Sequence, residues 1–514
     1  MGINELWKLV SPSTEGQTLT AFALEGLKGH VQDESGLSMM KVGVDASAWL
    51  YAVCKLQAFR LGHAQSGENP ELRTLMYKLV ALASAPVHAH FIFDGDDRPP
   101  IKRSKHVQLA PHWLTRSLQE LLHIFGFTWA MARGEAEADL AFLSKAGKIS
   151  AVLTEDSDAL LFGAEKVLRV TDNEDGTFIV DAYCAEALSN DPKIPLTTAR
   201  LLLWAMLRGG DYNPGGLAGC GSQVSRALLA GDLGDSLMHV MTSAAPAQLQ
   251  SMLRTWRDRL RTVLVDGTLG RKYPTLAASI PADFPSVDTM HLYLNPATTW
   301  SDDTSSSLLP KFDPTQPDLT RLAAFCEARL GWMRPKIHKY FRNKLWSAAC
   351  MRALCQLPTN DGSALPKPTF NVDKRKDPKG GVPVYCVTLY APSFVNATND
   401  GIQADDDSSP EESKSWVPSH SKVDIPARIM ELTSPQDVID YADQHTTSVG
   451  PSSGDLPPDW HPRPSAQYAA VADMLWPEVG DTSSEVRDPE LSRGSELKVC
   501  IDEEGREVID LTVD

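Results

Sequence analysis

The chain has 514 residues, of which 42% are hydrophobic, and it carries a formal net charge of −17. Domains usually run to roughly 100–200 residues, so about two or three are expected. The chain has no run of about 18 apolar residues, which argues against a membrane span, and its N-terminus lacks the features of a signal peptide. The eight cysteines form no C-x-x-C pair, which favours buried thiols in a reducing compartment over a disulfide framework or a zinc site.

The negative charge is confined to one end of the chain. Residues 1–400 hold 41 Lys and Arg against 41 Asp and Glu, whereas residues 401–514 hold 8 against 25. The overall acidity therefore does not argue against nucleic-acid binding by the first 400 residues. Acidic segments that are rich in Ser and Pro are usually disordered, so we predict a disordered acidic tail over 446–514.

Short apolar runs that end in an acid alternate with helical patterns in the first part of the chain. Runs that end at Asp45, Asp94 and Asp156 predict buried strands. This alternation is typical of an α/β domain with a parallel sheet, whose sites lie beyond the carboxyl ends of the strands. The three acids fall at such ends. A further strand is predicted at 166–170, and helices are predicted at 69–84, 111–125, 135–147 and 196–208.

The pattern changes after the α/β part. Residues 209–231 contain seven glycines and lead into a helix. Glycines let backbone N–H groups approach a phosphate, and a helix N-terminus favours an anion. The further elements predicted are helices at 247–264 and 318–330, a basic amphipathic helix at 334–355, a basic turn at 373–381, a strand at 382–392 and a helix at 425–443.

Carboxylates are the residue type that recurs where the chemistry of this domain would take place. Seven acids at one sheet edge would repel one another by on the order of several kcal/mol unless bound cations neutralise their charge. Ligands that are all oxygen suit Mg²⁺ or Mn²⁺ rather than zinc, and two such ions are suited to phosphodiester hydrolysis. For any one acid the alternative is a helix cap or a solvated position. The seven are Asp45, Asp94, Glu135, Glu137, Asp156, Asp158 and Asp211.

Four stretches that carry these acids resemble the N and I regions of the XPG/flap-endonuclease family of structure-specific nucleases. They are VDASAWLY, FIFDG, GEAEADLAFLSKAGKISAVLTEDSDALLFG and GGDYNPGGLAGCG. The resemblance runs from Met1 to about residue 240 and continues more weakly to about 445. It implies a PIN-like, XPG-type parallel sheet flanked by helices. It also implies that the seven acids hold two Mg²⁺ (or Mn²⁺) ions, with Asp139 as a supporting or surface acid.

The resemblance implies DNA contacts as well. Gly219 and Gly221 match the family's helix–two-turn–helix, which holds duplex DNA with the help of a monovalent cation, commonly K⁺. Lys102 and Arg103 fall where the family has its catalytic basic residues, which clamp the scissile phosphate. Gly2 would lie against the DNA bend. For Gly219 and Gly221 the alternative is a structural glycine turn, and for Lys102 and Arg103 it is a solvated basic loop.

The spacing of the motifs bears on the branch of the family. Only 41 positions separate Asp94 from Glu135, and this short cap resembles the GEN/Yen branch, the Holliday-junction resolvases. Trp49 also resembles that branch. Tyr51, in contrast, falls where flap endonucleases place a base-stacking tyrosine, with a core tyrosine as the alternative.

The region after the glycine turn supports the resolvase branch. Residues 284–296 and 322–354 resemble resolvase sequence that leads into a chromodomain. The strand at 382–392 and the helix at 425–443 would complete a small β-plus-helix module. Such a module would add DNA contacts, and the alternative is a basic loop or a nuclear-localisation patch. The basic residues concerned are Lys374, Arg375, Lys376 and Lys379.

The predicted function is that of a nuclear, Mg²⁺-dependent DNA endonuclease in repair and recombination, which leaves a 5′-phosphate and a 3′-hydroxyl. Its substrates would be branched DNA, both four-way junctions and 5′-flaps. Resolving a junction requires two active sites, so a homodimer on the junction is implied. The alternatives are a 5′-flap endonuclease or 5′-exonuclease, and a catalytically idle DNA-binding scaffold. The predicted parts are the N region 1–100, a short cap 101–134, the I region with the helix–two-turn–helix 135–240, a helical extension 241–335, a chromodomain-like module 336–445 and the tail 446–514.

The end of the chain carries an apolar segment framed by acids. Val508, Ile509 and Leu511 stand in VIDLT, which resembles a SUMO-interaction motif. Branched apolar residues can add a strand to an exposed sheet edge, and flanking acids can meet a basic rim. We therefore predict binding to SUMO or SUMO-modified proteins, with a strand that docks back on the chain's own domain as the alternative.

Overall fold

The computed structural model describes most of the chain in two units. Residues 1–448 form one compact unit, and residues 449–514 form the other. Within the described ranges, no helix combines the length and apolar character that a bilayer span requires. The described residues are 2–27, 39–58, 68–174, 176–301, 315–355, 368–378, 381–403, 420–446, 499–501 and 507–509.

A seven-stranded sheet forms the centre of the first unit. Its strands are β1 Thr14–Thr18, β2 Met40–Asp45, β3 Val87–Phe93, β6 Thr128–Met131, β7 Ala151–Leu153, β8 Lys166–Glu174 and β9 Thr177–Cys184. The order across the sheet is β1-β9-β8-β7-β2-β3-β6. The strands from β8 to β6 are parallel, and β9 and β1 are added antiparallel. The predicted parallel sheet is confirmed, whereas its antiparallel edge has no counterpart among the predicted elements.

Helices cover both faces of this sheet. Side chains alternate between the faces of a strand, so Phe91 and Phe93 belong to one hydrophobic core and Ile92 to the other. The four helices predicted in this part are confirmed as α4, α5, α6 and α9. The helices are α1 Leu6–Leu9, α2 Leu19–Gly26, α3 Ala46–Ala58, α4 Pro70–Ala83, α5 Thr115–Phe125, α6 Ala136–Lys145, α7 Asp158–Leu161, α8 Ala185–Ser189, α9 Thr198–Arg208, α10 Ser222–Leu229, α11 Leu233–Ser243, α12 Pro246–Asp266, α13 Pro274–Ser279 and α14 Val287–Leu294.

A three-stranded antiparallel sheet with its own helices follows. Its strands are β10 Thr369–Lys376, β11 Val384–Tyr390 and β12 His420–Pro426, in that order. This small sheet and the helices around it match the β-plus-helix composition predicted for the module. The helices of this part are α15 Leu319–Leu330, α16 Arg334–Tyr340, α17 Trp346–Cys355, α18 Pro392–Asp400, α19 Ala427–Thr433 and α20 Pro435–Thr446.

The helix predicted for 334–355 is confirmed in its bounds, and the structure adds two details. A π-helical turn at Phe341–Leu345 separates α16 from α17. Arg352 is fully buried rather than solvated. Its Nη1 donates to the carbonyl oxygen of Val87 in β3 at 3.0 Å, and its guanidinium lies 5.0 Å from the ring centre of Phe127. The module therefore packs directly against the seven-stranded sheet.

Two further predictions for the module are corrected. Residues 373–376 are not part of a turn, because they pair with β11 as the end of β10. The helix predicted for 425–443 begins two residues later, since β12 continues to Pro426, and it is interrupted at Ser434 between α19 and α20. Lys379 lies outside the described residues.

The second unit contains two short strands in the part that is described. They are β13 Val499–Ile501 and β14 Glu507–Ile509, which pair antiparallel. Val508 and Ile509 of the predicted SUMO-interaction segment lie in β14, and Leu511 lies outside the described residues. The predicted disordered tail thus contains a described strand pair, and its portion 447–498 lies outside the described residues.

Candidate active site

Parallel strands bring three of the seven acids to one edge of the central sheet. Asp45 is the last residue of β2, Asp94 follows the last residue of β3, and Asp156 lies three positions after Leu153, the end of β7. Since β7, β2 and β3 are adjacent and parallel, their carboxyl ends meet at the same edge. The predicted location of these acids is confirmed.

Helix ends contribute the other four acids. Glu135 is the N-cap of α6 and Glu137 lies in its first turn, while Asp158 begins α7. Asp211 follows α9 by three residues. Asp45, Glu135, Glu137, Asp156, Asp158 and Asp211 are all at least nine-tenths buried, whereas the Asp94 side chain is 21% exposed. Solvation on a surface is therefore excluded for six of the seven.

Several of these acids do cap helices. Asp45 accepts a hydrogen bond from the backbone N–H of Ala48 at 2.9 Å, and Asp94 accepts one from Ala136 at 3.0 Å. Negative charge is favourable at a helix N-terminus, so the helix-cap alternative is correct for these two. Each cap engages one carboxylate oxygen and leaves the other for a different partner.

Asp158 has no such partner. Both of its carboxylate oxygens are buried and accept no hydrogen bond within the described structure. A buried carboxylate that is left unpaired is costly, so such groups are normally paired or bound to a cation. Asp158 is therefore the residue at which the site most clearly lacks a positive charge.

The raised pKa values of several acids also indicate that the site lacks positive charge. Burial raises the pKa of Asp45 to about 7, and the charges of Asp94 and Asp156 add to this increase. Burial likewise raises the pKa of Glu137 and that of Asp158 well above the usual values. For Asp158 the neighbouring charges of Asp156 and Asp211 contribute. The acids thus lie close enough to oppose one another's ionisation.

Two basic side chains reach into the acids from a tight hairpin. Its strands are β4 Ile101–Lys102 and β5 Lys105–His106. Lys102 Nζ lies 2.6 Å from Oε1 of Glu135 and 3.0 Å from Oδ2 of Asp211. Arg103 donates to both oxygens of Asp211, at 2.7 and 3.1 Å. The solvated-loop alternative does not describe Lys102, which is half-buried among the acids, whereas Arg103 contacts Asp211 and remains exposed.

The turn of this hairpin is strained. Arg103 and Ser104 have φ angles of +54° and +59°. In two-residue hairpin turns, positive φ angles at both positions usually occur with the sequence Asn-Gly. The backbone N–H of Arg103 donates to the carbonyl oxygen of Asp211 at 2.6 Å. Strained residues persist where the surrounding structure holds them, and they cluster at functional sites. Although burial opposes it, Lys102 and Arg103 keep the pKa of Asp211 below its usual value.

The donor set fits a hard divalent cation in its chemistry. All candidate ligands are carboxylate oxygens, as Mg²⁺ and Mn²⁺ prefer, and Asp158 offers two oxygens without donors. No three His, Cys, Asp or Glu side chains in the described ranges are arranged to hold a metal ion as they stand. In this arrangement Lys102 pairs with Glu135 and Arg103 pairs with Asp211.

Gly2 lies against two of the acids. Its φ angle is +82°, and a Cβ atom there would collide with side-chain oxygens of Asp156 and Asp158. The backbone N–H of Ile3 donates to Oγ of Ser157 at 2.9 Å. A glycine is therefore required both by the backbone conformation and by the space. The predicted contact of Gly2 with a DNA bend stays a prediction.

The aromatic residues of α3 point in different directions. Tyr51 is 60% exposed, so the core-tyrosine alternative is wrong. Trp49 is buried and packs edge-to-face on Phe91, with their ring centres 5.2 Å apart. Stacking of Tyr51 on a base stays a prediction that its exposure permits.

The glycine turn leads into α10 as predicted. Gly219 has a φ angle of +80°, and Gly221 is the N-cap of α10. Two of the basic residues predicted for the module form ion pairs within it. Lys376 bonds Asp424 at 2.7 Å, and Arg375 bonds Asp377 at 3.3 Å. Lys374, Arg375 and Lys376 remain predicted DNA contacts.

Tyr212 was not found from the sequence, and Asp139 was predicted only as a supporting or surface acid. Tyr212 donates its hydroxyl to Glu135, and its position directly after Asp211 is the signal that could have pointed to it. Asp139 is fully buried and accepts from both the N–H and the hydroxyl of Thr299, at 2.9 and 2.5 Å. It therefore supports α6 from beneath the site rather than lying on the surface.

Comparison with known protein families gives two matches, one in each of the two regions whose motifs were identified in the sequence. The XPG N-terminal domain matches residues 1–111, and the XPG I-region matches residues 126–211. The first 211 residues therefore carry both XPG regions. "Flap endonuclease GEN homolog 1" of Mus musculus is 29% identical over 260 residues, which cover 46% of this chain and 26% of the relative.

Solved structures extend the likeness beyond these two regions. A "Holliday junction-resolving enzyme GEN1 (WT) in complex with product DNA and Mg2+ ion" is 24% identical, with a TM-score of 0.67, and covers 87% of this chain and 100% of its own. A "eukaryotic junction-resolving enzyme GEN-1 binding with Potassium" has a TM-score of 0.66 at 24% identity, with the same coverage. The chain therefore shares the fold of these structures over 87% of its length. It spans about a quarter of the length of the GEN homologue.

Proposed function

We propose that this protein is a Mg²⁺-dependent, structure-specific DNA endonuclease that resolves Holliday junctions and also cuts 5′-flaps. The observation that carries the proposal is the convergence of seven acids with Lys102 and Arg103 at one sheet edge. Buried carboxylates whose pKa values are raised, together with fixed cations, are typical of catalytic sites. A family that includes a "Flap endonuclease GEN homolog 1" supports DNA as the substrate.

The seven acids would hold two Mg²⁺ or Mn²⁺ ions. Those ions would supply activation of the attacking water and charge stabilisation of the phosphodiester. Within the chain, Asp158 offers both of its oxygens, and the Ala48 and Ala136 N–H groups fix the orientation of Asp45 and Asp94. Such fixed orientation avoids reorganisation during the reaction.

Lys102 and Arg103 would bind the scissile phosphate. Both lie on the hairpin that enters the acid cluster, and Arg103 presents a planar fork that suits phosphate oxygens. Lys102 is only 25% exposed and Arg103 45% exposed. Their charges therefore act where water is partly excluded, which strengthens their effect on a developing negative charge. The products would be a 5′-phosphate and a 3′-hydroxyl.

Several surfaces outside the acid cluster would hold the DNA. The glycine turn before α10 would bind the backbone of a duplex arm, with a K⁺ ion as an additional ligand of the turn. Tyr51 would stack on a base, and Lys374 would extend the contact to the module together with Arg375 and Lys376. Two copies of the chain would act on one junction because two strands have to be cut.

The deciding experiment compares two branched DNAs. Purified protein is incubated with matched four-way-junction and 5′-flap substrates in Mg²⁺ and, as the control, in EDTA. Paired symmetrical nicks in the junction support a resolvase, whereas cutting of the flap alone supports the 5′-flap endonuclease alternative. Binding without cutting in Mg²⁺ and in Mn²⁺ would leave only a DNA-binding scaffold.

A nuclear location and recruitment by SUMO complete the proposal. Relatives of this chain include the "DNA repair protein RAD2" of Saccharomyces cerevisiae, which supports a role in DNA repair and hence in the nucleus. The segment with Val508, Ile509 and Leu511 would bind SUMO as an added strand.

A further inference from the structure

The first residues of the chain connect two functional sites that lie far apart in sequence. We call residues Gly2–Glu5 the N-terminal connector. At one end, Gly2 lies against Asp156 and Asp158, and Ile3 donates to Ser157. At the other end, Glu5 reaches the glycine turn, where its carboxylate accepts a 2.5 Å hydrogen bond from Oγ of Ser222, the first residue of α10.

The middle of the connector is fixed by polar contacts with α9 and the turn that follows it. The backbone N–H of Asn4 donates to the carbonyl oxygen of Gly209 at 3.0 Å. The Asn4 side chain donates to the carbonyl oxygens of Arg208 and Pro214 at 3.0 and 3.1 Å. Trp204 donates to the carbonyl oxygen of Asn4 at 3.0 Å. The connector therefore has little freedom to move at one end without moving at the other.

Glu5 is held in an unfavourable backbone conformation. Its φ angle is +57°, in the left-handed region that glutamate rarely adopts. The carboxylate is also bonded by the guanidinium of Arg208, which in turn donates to the carbonyl oxygen of Cys220 at 2.7 Å. An unfavourable backbone conformation persists only where surrounding contacts hold it, so these contacts fix the position of Glu5.

We propose that Glu5 is a positioning residue that fixes Gly2 against Asp156 and Asp158 by anchoring the connector to Ser222 and Arg208. The inference rests on the proposed nuclease function, because it assigns these acids to the reaction. Glu5 itself touches neither the acids nor the scissile phosphate. It couples the duplex-binding turn to the acids through one continuous run of contacts.

The test separates binding from cutting. Glu5→Gln keeps the shape of the side chain and removes its charge, whereas Ser222→Ala removes the hydroxyl that donates to it. We expect each variant to cut a preferred branched DNA about tenfold more slowly in single turnover at saturating protein, because small misplacements of reacting groups are costly. For Glu5→Gln, duplex affinity should be unchanged or tighter, since this substitution removes a negative charge beside the turn.

The double variant gives the sharper result. If Glu5 and Ser222 act through one contact, Glu5→Gln with Ser222→Ala should be about as slow as either single variant. Losses that multiply, rates equal to the original protein, or an affinity that falls in parallel with the rate would each overturn the proposal. Glu15→Gln is the matched control, since Glu15 is an exposed carboxylate of β1 outside the connector.

A second readout needs no cleavage. Hydrogen–deuterium exchange of a peptide that spans residues 2–9 should be faster in Glu5→Gln than in the original protein, and duplex DNA should slow it only in the original. Equal exchange in both proteins would overturn the coupling. A chain that cuts no branched DNA would contradict the proposed function instead, and the exchange measurement would still decide the role of Glu5.

Discussion

Nζ of Lys102 lies 2.6 Å from Oε1 of Glu135, although 33 positions separate the two residues in the chain. A cation predicted to bind the scissile phosphate is therefore held by one of the acids predicted to bind metal. Desolvation lowers the pKa of Lys102, but Glu137 and Glu135 outweigh it and raise that pKa well above its usual value. Lys102 thus serves as an internal counter-charge of the acid cluster.

Removing this counter-charge should destabilise the metal-free protein. We expect Lys102→Met to lower the free energy of unfolding in EDTA by about 3 kcal/mol, because it leaves buried carboxylates without their partner. Urea unfolding measures this, and added Mg²⁺ should recover part of the loss. Arg133→Gln is the control, since its 2.8 Å pair with Asp97 is exposed on both sides and should contribute less than about 1 kcal/mol. Equal losses in both variants would contradict the role of Lys102.

Asp156→Asn and Glu135→Gln should abolish cleavage and preserve DNA binding. Each removes one ligand charge from the acid cluster, whereas the glycine turn and the module stay intact. We expect residual single-turnover cleavage in Mg²⁺ to stay below about a tenth of the original rate, with binding to the same DNA measured by fluorescence anisotropy. Asp96→Asn, at an exposed acid two residues after Asp94, should cut normally. Cleavage above that limit would refute the metal assignment of the residue concerned.

His90 should make stability depend on pH in a defined direction. Burial lowers its pKa from 6.5 to about 4, so the folded protein keeps it neutral. Its contribution is present above pH 6.5 and is lost as the pH falls toward 4. The stability difference between the original protein and His90→Gln should therefore shrink by about 2 kcal/mol from pH 7.5 to pH 5. Denaturant unfolding of both proteins at pH 7.5 and pH 5 checks this prediction.

A chain truncated after Ser448 should remain an active nuclease. The boundary coincides with the end of the first compact unit, and the removed segment is rich in acids that repel phosphate. We expect unchanged cleavage of branched DNA and equal or tighter binding, measured side by side with the complete chain. An insoluble or inactive truncated protein would show that the second unit supports the first.

The end of the chain should bind SUMO as a short peptide. Titration of a labelled 500–514 peptide should show binding that Ile509→Ala with Leu511→Ala removes, because both side chains would fill the groove of the partner. Within the chain, Val508 pairs with Cys500 in the β13–β14 hairpin, so the peptide should also be compared with the intact protein. If the two peptides bind SUMO with equal affinity, or if no binding is detected with a dissociation constant below roughly 1 mM, the segment would serve only to keep the chain soluble.

The sequence predicted the positions of the acids better than it predicted their partners. Asp45, Asp94 and Asp156 were predictable because apolar runs mark buried strands and parallel strands share an edge. The approach of Lys102 to Glu135 was not predictable, because it depends on a hairpin whose turn residues, Arg103 and Ser104, are atypical. Local pattern carries no sign of a turn that tertiary contacts hold in place.

Charge was the least reliable guide to exposure. Arg352 lies in the helix that the sequence predicts as basic and amphipathic, and it is fully buried against β3. The sequence predicts a basic turn at 373–381 that contains Lys374, Arg375 and Lys376. Pairing with β11 extends the strand through all three.

The guanidinium of Arg352 also limits how the parts of this protein can be exchanged. Val387, Ile425 and Ile429 of the module belong to the same apolar core as Val42 of β2. A chimera that joins this module to the catalytic part of another nuclease would carry Arg352 without its partner, the carbonyl group of Val87 in β3. It would also carry the module's core residues without those that β2 contributes. Homologous recombination between relatives would therefore preserve function only when the two parts are inherited as one block.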